Sequence, residues 1–515
     1  MLKRFFGERI HDQLHLLGVS VLCIGIPLNK VVMSISMLFL VLNLLLEKEF
    51  KTYTNNLKKN KLFLLILFFF GLHIISFLWS SNTSYALHDL KVKLPLLIIG
   101  IVLSAKPITN QERLKFILNC FLLSLTFTSL INYLSYTGII FEFEYDDIRG
   151  MSLFTSHVRF GLLISFGVAV VFYHLHFYKK HRLIFTAIAI WFCYYTYYSQ
   201  VLSGVITLLG IIFITLFLII WKHNKLIASL FSIITTSVTI WFVFWLLTPV
   251  TLDAKQYENL PELTVEGNPY SHCLDYIDPE TKGPIQAFIS KVEIEREWVK
   301  KSQISIDSFD VKKQPIEQTL IRYLTASGYR KDAQGVRKLS LEDVKNIENG
   351  HTSPNFNGVL ARIYSVQYQI SNNGDPNGHS LLERLEYWQN GWTIAKNNFW
   401  LGVGAGDVQD AFNKQYVNSK SKLKTENRNR AHNSYLTTFI TFGIIGLIYF
   451  LYFHLYFIRQ SIVTKNYLGI LFIITILLSY LTEDTLETQT GITFFAFFLF
   501  LTPLLNQGLM LSKTK

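Results

Sequence analysis

Apolar runs of roughly 17–25 residues recur along this chain, and each is long enough to cross ~30 Å of hydrocarbon as a helix. Lipid offers no partner to a backbone N–H or C=O, so such runs must become helices whose hydrogen bonds are internal. Twelve segments are expected to span: residues 14–30, 31–47, 62–79, 93–105, 116–138, 157–177, 183–199, 202–221, 226–248, 432–457, 467–481 and 491–508. The fourth is the shortest and contains Pro95. Only 16% of the 515 residues are charged, well below the ~25% of soluble domains. The expected fold class is therefore an all-α polytopic membrane protein.

The net charge of +12 would suit nucleic acid, but the cations sit in short loops between apolar runs, which is the positive-inside pattern. Nucleic acid is not an expected partner; membrane lipids are. Lys3, Arg4 and Arg9 precede the first span, and "KEFKTYTNNLKKNK" (48–61), "YKKHR" (178–182) and "WKHNK" (221–225) fall on the same side when spans are counted in alternation. That side is read as cytoplasmic, with both termini on it. The opposite loops "EFEYDDIRG" (142–150) and "TEDTLETQT" (482–490) are acidic. The amino end has a basic head and an apolar stretch but no convincing cleavage site, so it is read as a retained first helix. Three of the four cysteines lie in apolar runs and no C-x-x-C occurs, which argues against disulfide frameworks and zinc.

Between the ninth and tenth spans lies a hydrophilic segment far longer than a connector. The chain is accordingly divided into a membrane bundle over 1–248, a large and mainly helical outer-face segment over 249–431, and a second bundle over 432–515. Within the segment, "SLEDVKNIENG" opens like a capping box at Ser340 and stops at Gly350. Leu381, Leu382, Leu385, Trp388 and Trp392 recur at helical spacing.

The tenth span opens with "RAHNSY", placing Arg430, His432 and Asn433 where a water-facing segment enters lipid. A histidine held still and partly dry can take a proton from a hydroxyl; the plainer alternative is an interfacial histidine at a helix start. Gly443 and Gly446, three residues apart, are expected to share a helix face that packs against a neighbouring helix.

His432-Asn433, nine residues, Gly443, two residues and Gly446 resemble the signature of the O-antigen ligase and O-antigen polymerase superfamily of bacterial membrane glycosyltransferases. Three further stretches are similar to members of it: "TLIRYLTASGYRKDAQGVRKLS" (319–340), "SLLERLEYWQNGWTIAKNNFWLGVGAGD" (380–407) and "YLTEDTLETQTGITFFAFF" (480–498). The resemblance implies about twelve spans and one large periplasmic loop in the bacterial inner membrane. It implies transfer of a glycan from undecaprenyl pyrophosphate to an acceptor hydroxyl, on lipid A-core or elsewhere, with no cofactor, nucleotide sugar or metal. His432 is then the base and Asn433 its catalytic companion. Arg384 in "ERLEYW" matches the family's loop arginine and would hold the diphosphate through its planar, permanently charged fork.

Other candidates are weighed on position. Arg428 and Arg430 flank His432 and serve either the diphosphate or lipid headgroups. Arg159 in "TSHVRFG" begins the sixth span, where a cation is either functional or snorkels to water. Glu483, Asp484 and Glu487 match the family's terminal motif and would orient His432 or bind sugar hydroxyls. One departure stands out: many family members carry Ser-Arg-x-Gly where this chain has "YSQVLSGVITLLG" (198–210), which contains no arginine. "GVGAGD" (402–407) is Gly-x-Gly-x-Gly rather than a dinucleotide fingerprint, and is read as a turn shaping the loop against the membrane. Glu144, Asp146 and Asp147 offer metal ligands, but a solvated acidic loop is preferred. The single large loop with this His-Asn spacing favours ligase; the motifs themselves do not separate it from the alternatives, polymerase and protein O-oligosaccharyltransferase. A lipid-linked glycan flippase is the competitor of a different class, disfavoured because the expected span centres carry almost no charge.

Overall fold

The computed structural model describes residues 10–140, 148–177, 181–356, 358–372, 375–377 and 379–505. Among these the backbone forms helices, turns and isolated bridges, without a sheet. The acidic trio Glu144, Asp146 and Asp147 lies outside the described residues. Two compact units form, residues 1–225 with 383–515, and residues 226–382.

In the first unit the chain runs α1 (Ile10–Leu28), α2 (Lys30–Glu47), α3 (Phe50–Lys59), α4 (Lys61–Ile75), α5 (Thr83–Ala105), α6 (Gln111–Tyr136), α7 (His157–Phe177), α8 (Arg182–Tyr198) and α9 (Leu202–His223). The second unit carries α10 (Lys225–Leu247), α11 (Lys291–Trp298), α12 (Ile316–Ala326), α13 (Ala333–Arg337), α14 (Leu341–Glu348) and α15 (Gly358–Ser371). The chain then returns through α16 (Ser380–Asn397), α17 (Val408–Asn418), α18 (Ser434–Val463), α19 (Tyr467–Thr482) and α20 (Gln489–Leu501). Among the described residues, eight helices are long and apolar enough to cross a membrane, and α19 and α20 are shorter apolar helices. With α5 and α8, these fall on the twelve expected segments. The protein is an all-helical, multi-pass membrane protein.

The second unit has its own core of Trp298, Leu320, Tyr323, Leu324 and Ile347, all fully or almost fully buried. The Ser340–Asp343 capping box forms as expected, and Gly350 ends the turn after α14 at φ 75°. Tyr323 reaches Asp343 across this core, tying α12 to the start of α14.

Two sequence expectations change in the first unit. α5 starts at Thr83, not near 93, with Asn82 accepting from the Tyr85 amide as its cap. Asp89 and Lys93 are buried within it, and Pro95 lies inside the helix. Gly443 does not pack against a helix either. It breaks α18, with φ 66° and ψ −167°, a conformation open to glycine and strained for other residues. Into the break slides the α16–α17 connection. The Val403 and Gly404 amides donate to the freed carbonyls of Ile440 and Thr441 at 2.8 and 3.0 Å, and the Ile444 amide donates to Phe399 at 2.7 Å. A Cβ at Gly443 would meet the Trp400 carbonyl oxygen at 2.2 Å, and one at Gly402 the Thr441 carbonyl at 2.4 Å. The same connection is held from its other side. Ala405 and Gly406 donate to the Ser76 and Ser80 hydroxyls, and the Ser81 and Asn82 amides donate to Asp407 at 2.8 and 2.7 Å. "GVGAGD" is thus a backbone wedge between α18 and the α4–α5 turn, with positive φ at Gly402 and Gly404.

Gly443→Ala is expected to destabilise the protein by at least ~1–3 kcal/mol from backbone strain alone, with the clash added. Gly71→Ala in α4 meets nothing within 4 Å and should be neutral or stabilising by up to ~1 kcal/mol. Thermal unfolding in detergent distinguishes the two.

Candidate active site

Asn433 caps α18: its Oδ1 accepts from the Leu436 amide at 3.0 Å, and its Nδ2 donates to the Leu481 carbonyl at 3.2 Å. Both ends of the carboxamide therefore hold backbone, which makes Asn433 a positioning residue. Ser434 continues the lock, donating to the Glu483 carbonyl and accepting from the Thr485 amide. The start of α18 is in this way fastened to the 483–488 turn between α19 and α20.

His432 sits just outside the helix in the left-handed region, φ 46°. Its amide donates to Asp484 Oδ2 at 3.0 Å, and Thr437 Oγ1 donates to the other Asp484 oxygen at 2.6 Å. The imidazole Nδ1 faces Glu483 Oε2 at 3.8 Å, an ion-pair separation too long for a hydrogen bond. The Tyr387 ring flanks it at 5.7 Å, and the imidazole keeps 39% of its surface exposed. Glu483 is shared: its other oxygen accepts from Arg384 Nη2 at 3.1 Å.

Behind this pair lies a second, drier one. Arg430 Nη1 donates to Glu487 Oε2 at 3.1 Å while its guanidinium lies over the Tyr85 ring at 4.7 Å. The other Glu487 oxygen accepts from Lys93 at 2.9 Å, and Lys93 also holds Asp89 one turn back at 2.6 Å. Lys93 is 2% exposed, and neither it nor Asp89 nor Tyr85 was anticipated. Their one sequence signal is the Asp-x-x-x-Lys pair one helical turn apart at the head of an apolar run. A cavity of about 20 Å3, room for about one water, is lined by His73, Lys93, Arg430, Thr437, Asp484 and Glu487 among others.

The carboxylates pull the imidazole. Glu483, foremost, and Asp484 raise the His432 pKa above its ordinary value against the opposing effect of burial. Burial pushes the Glu483 carboxyl up, yet His432, Arg384 and Arg159 together hold it below the usual range. Asp484 is raised, by burial and by Glu487. Glu487 is lowered because Lys93 and Arg430 outweigh its burial. Neighbouring carboxylates are thus driven in opposite directions, the arrangement that separates proton-holding from charge-holding groups.

The expected arginines divide. Arg384 and Arg430 join the carboxylates directly. Arg159 donates to Ser156 Oγ at 3.1 Å and acts on Glu483 through space. Arg428 instead donates to the Leu423 carbonyl at 3.1 Å, bracing its own loop. One buried N–H on each of Arg159, Arg384 and Arg430 has no hydrogen-bond partner among the described residues. Unpaired buried guanidinium donors are costly, and an incoming anion would satisfy them. The stretch without an arginine packs closely on the helix that carries Arg159. Gly204 crosses Gly161 so tightly that a Cβ there would lie 3.2 Å from the Gly161 Cα. Arg159, two residues from that crossing, thus lies on the helix packed against "YSQVLSG".

Lys93→Met would leave Asp89 buried without its cation and Glu487 with Arg430 alone, and should cost ~3–5 kcal/mol; a fall in unfolding temperature measures it. Met in place of the far more exposed Lys51 should change it little.

No curated protein matches this chain. A family model described as O-antigen ligase matches residues 339–451, which take in α16, Arg384, His432, Asn433, Gly443 and Gly446. Over those residues the chain is similar to the O-antigen ligase family, and that match supports the O-antigen ligase superfamily, a glycosyltransferase-like class of enzyme.

Proposed function

We propose that this protein moves a glycan from undecaprenyl pyrophosphate to an acceptor hydroxyl at the periplasmic face of the bacterial inner membrane, joining O-antigen to lipid A-core. The observation that carries this reading is the half-exposed imidazole of His432, backed by Glu483 and standing among guanidinium groups with unpaired N–H donors. In the reaction the acceptor oxygen bonds to the anomeric carbon, the bond from that carbon to the pyrophosphate oxygen breaks, and the hydroxyl proton passes to His432. With Nδ1 turned to Glu483, Nε2 is the nitrogen that accepts the proton. The imidazolium that forms is stabilised by Glu483 and Asp484, whose charges already favour it.

The leaving diphosphate gains negative charge as the bond breaks. Arg384 and Arg159 are assigned to it, with Arg430 held in reserve behind them by Glu487. Fixed cationic donors of this kind stabilise developing charge without reorganising. A diphosphate is a good leaving group on these terms, and the reaction needs neither metal nor nucleotide. Asn433 and Glu487 serve by position: the first fixes the helix start, the second fixes Arg430. A hydrophilic segment before α18 on the periplasmic side would place the base at headgroup depth, where the carrier's diphosphate lies.

His432→Ala should leave abundance and unfolding temperature unchanged and lower glycan transfer by at least ~100-fold, the range of a lost general base. Surface glycan at wild-type level in that variant overturns the assignment. Because the base must be neutral to act and its pKa is raised, activity should fall as pH drops through a value above ~6.5. Glu483→Gln removes the main cause of the shift, so the acid limb of the pH–rate profile should move down. Electrophoresis of lipopolysaccharide from a deletion strain tests the acceptor. Loss of all long chains with accumulation of lipid-linked polymer is the expected result, whereas one retained repeat on the core makes the enzyme a polymerase.

A further inference from the structure

α18 is 30 residues long and starts beside His432, so its last turn lies ~40 Å away, at the other end of the first unit. There the ends of α3, α5, α18 and α20 and the starts of α4 and α19 enclose a pocket of about 510 Å3, within the ~300–1,000 Å3 range of small-ligand sites. Nothing in the chemistry at His432 uses it.

The pocket is two-sided. Its depth mixes Leu103, Phe457 and Phe500 with Ser104, Ser461 and Asn466, all buried, while Tyr456, Pro503 and Leu504 stand half-buried along its wall. Its mouth carries Lys59 and Lys61, both exposed, together with the polar ends of Gln460, Thr464 and Thr109. No aspartate or glutamate lines it. The nearby carboxylate of Glu47 is already held by Lys106 at 2.7 Å, so the two lysines face the pocket with no carboxylate partner among the described residues. Two lysines without a carboxylate partner beside a half-buried apolar wall, at a membrane-facing helix end, are the recognition pattern for an anionic lipid headgroup.

We infer that this pocket binds one anionic phospholipid, its phosphate against Lys59 and Lys61 and the upper part of its acyl chains on Tyr456, Pro503 and Leu504. That half-buried apolar wall selects a lipid over free phosphate, because an inorganic ion would leave it wet. The bound lipid fills the gap between six helix ends that direct contacts leave open, and it does so whatever reaction His432 performs.

Full-length protein in nanodiscs of mixed phosphatidylethanolamine and phosphatidylglycerol, released into detergent and examined by native mass spectrometry, tests the site. One phosphatidylglycerol should be retained in preference to phosphatidylethanolamine. Lys59→Gln with Lys61→Gln should lower that preference by ~25-fold, a factor of about five for each basic residue near a membrane surface. Lys48→Gln should leave it unchanged. The preference is a ratio of two lipids on folded protein, so reduced yield of a variant does not disturb it. Equal retention of the two lipids, a preference that survives the double substitution, or displacement of the lipid by millimolar inorganic phosphate would each overturn the site.

Discussion

The break in α18 at Gly443 is the constraint from which the rest of the first unit follows. A transmembrane helix can afford an interruption only where its freed backbone groups find protein partners. Here three peptide hydrogen bonds from residues 399–404 supply them. The wedge that closes the break is gripped in turn by Ser76, Ser80 and Asn82 at the head of α5. The outer half of α18 is therefore fixed relative to α5, and α5 carries Lys93 and Tyr85. The base at one helix start and the cations on another element share a single frame because a loop is stitched between them.

Charge is organised on that frame in two layers. The inner layer, Asp89, Lys93, Glu487 and Arg430, is nearly dry and mutually paired. The outer layer, Glu483, Arg384 and His432, is looser and keeps surface open. Pairing in the inner layer costs desolvation and adds little net stability, but it holds Arg430 and the 483–488 turn in a fixed place. The outer layer can then exchange partners without disturbing the fold. Buried charge here serves registry, while the imidazole of His432 keeps the larger exposed surface.

Much of this was legible in the sequence, and the failures share a cause. Twelve apolar runs announced twelve helices, and the His432-Asn433 spacing to Gly443 marked the site. Ser340 and Asp343 declared their capping box. What escaped depended on partners far away in the chain. The buried pairing of Asp89 with Lys93 went unread because Glu487, which completes it, lies nearly 400 residues on. Gly443 read as a packing glycine because three-residue spacing suggests a helix face, whereas the φ it adopts is set by the arriving loop. The backbone engagement of Asn433 also went unread, because the Leu481 carbonyl it reaches lies 48 residues on.

The tight crossing at Gly161 and Gly204 limits what could be grafted onto this scaffold. A Cβ at 204 would lie 3.2 Å from the Gly161 Cα, so any side chain there asks α7 and α9 to part by a few tenths of an ångström. Arg159 lies two residues from that crossing, so a larger residue at 204 would also shift the helix start that carries this cation.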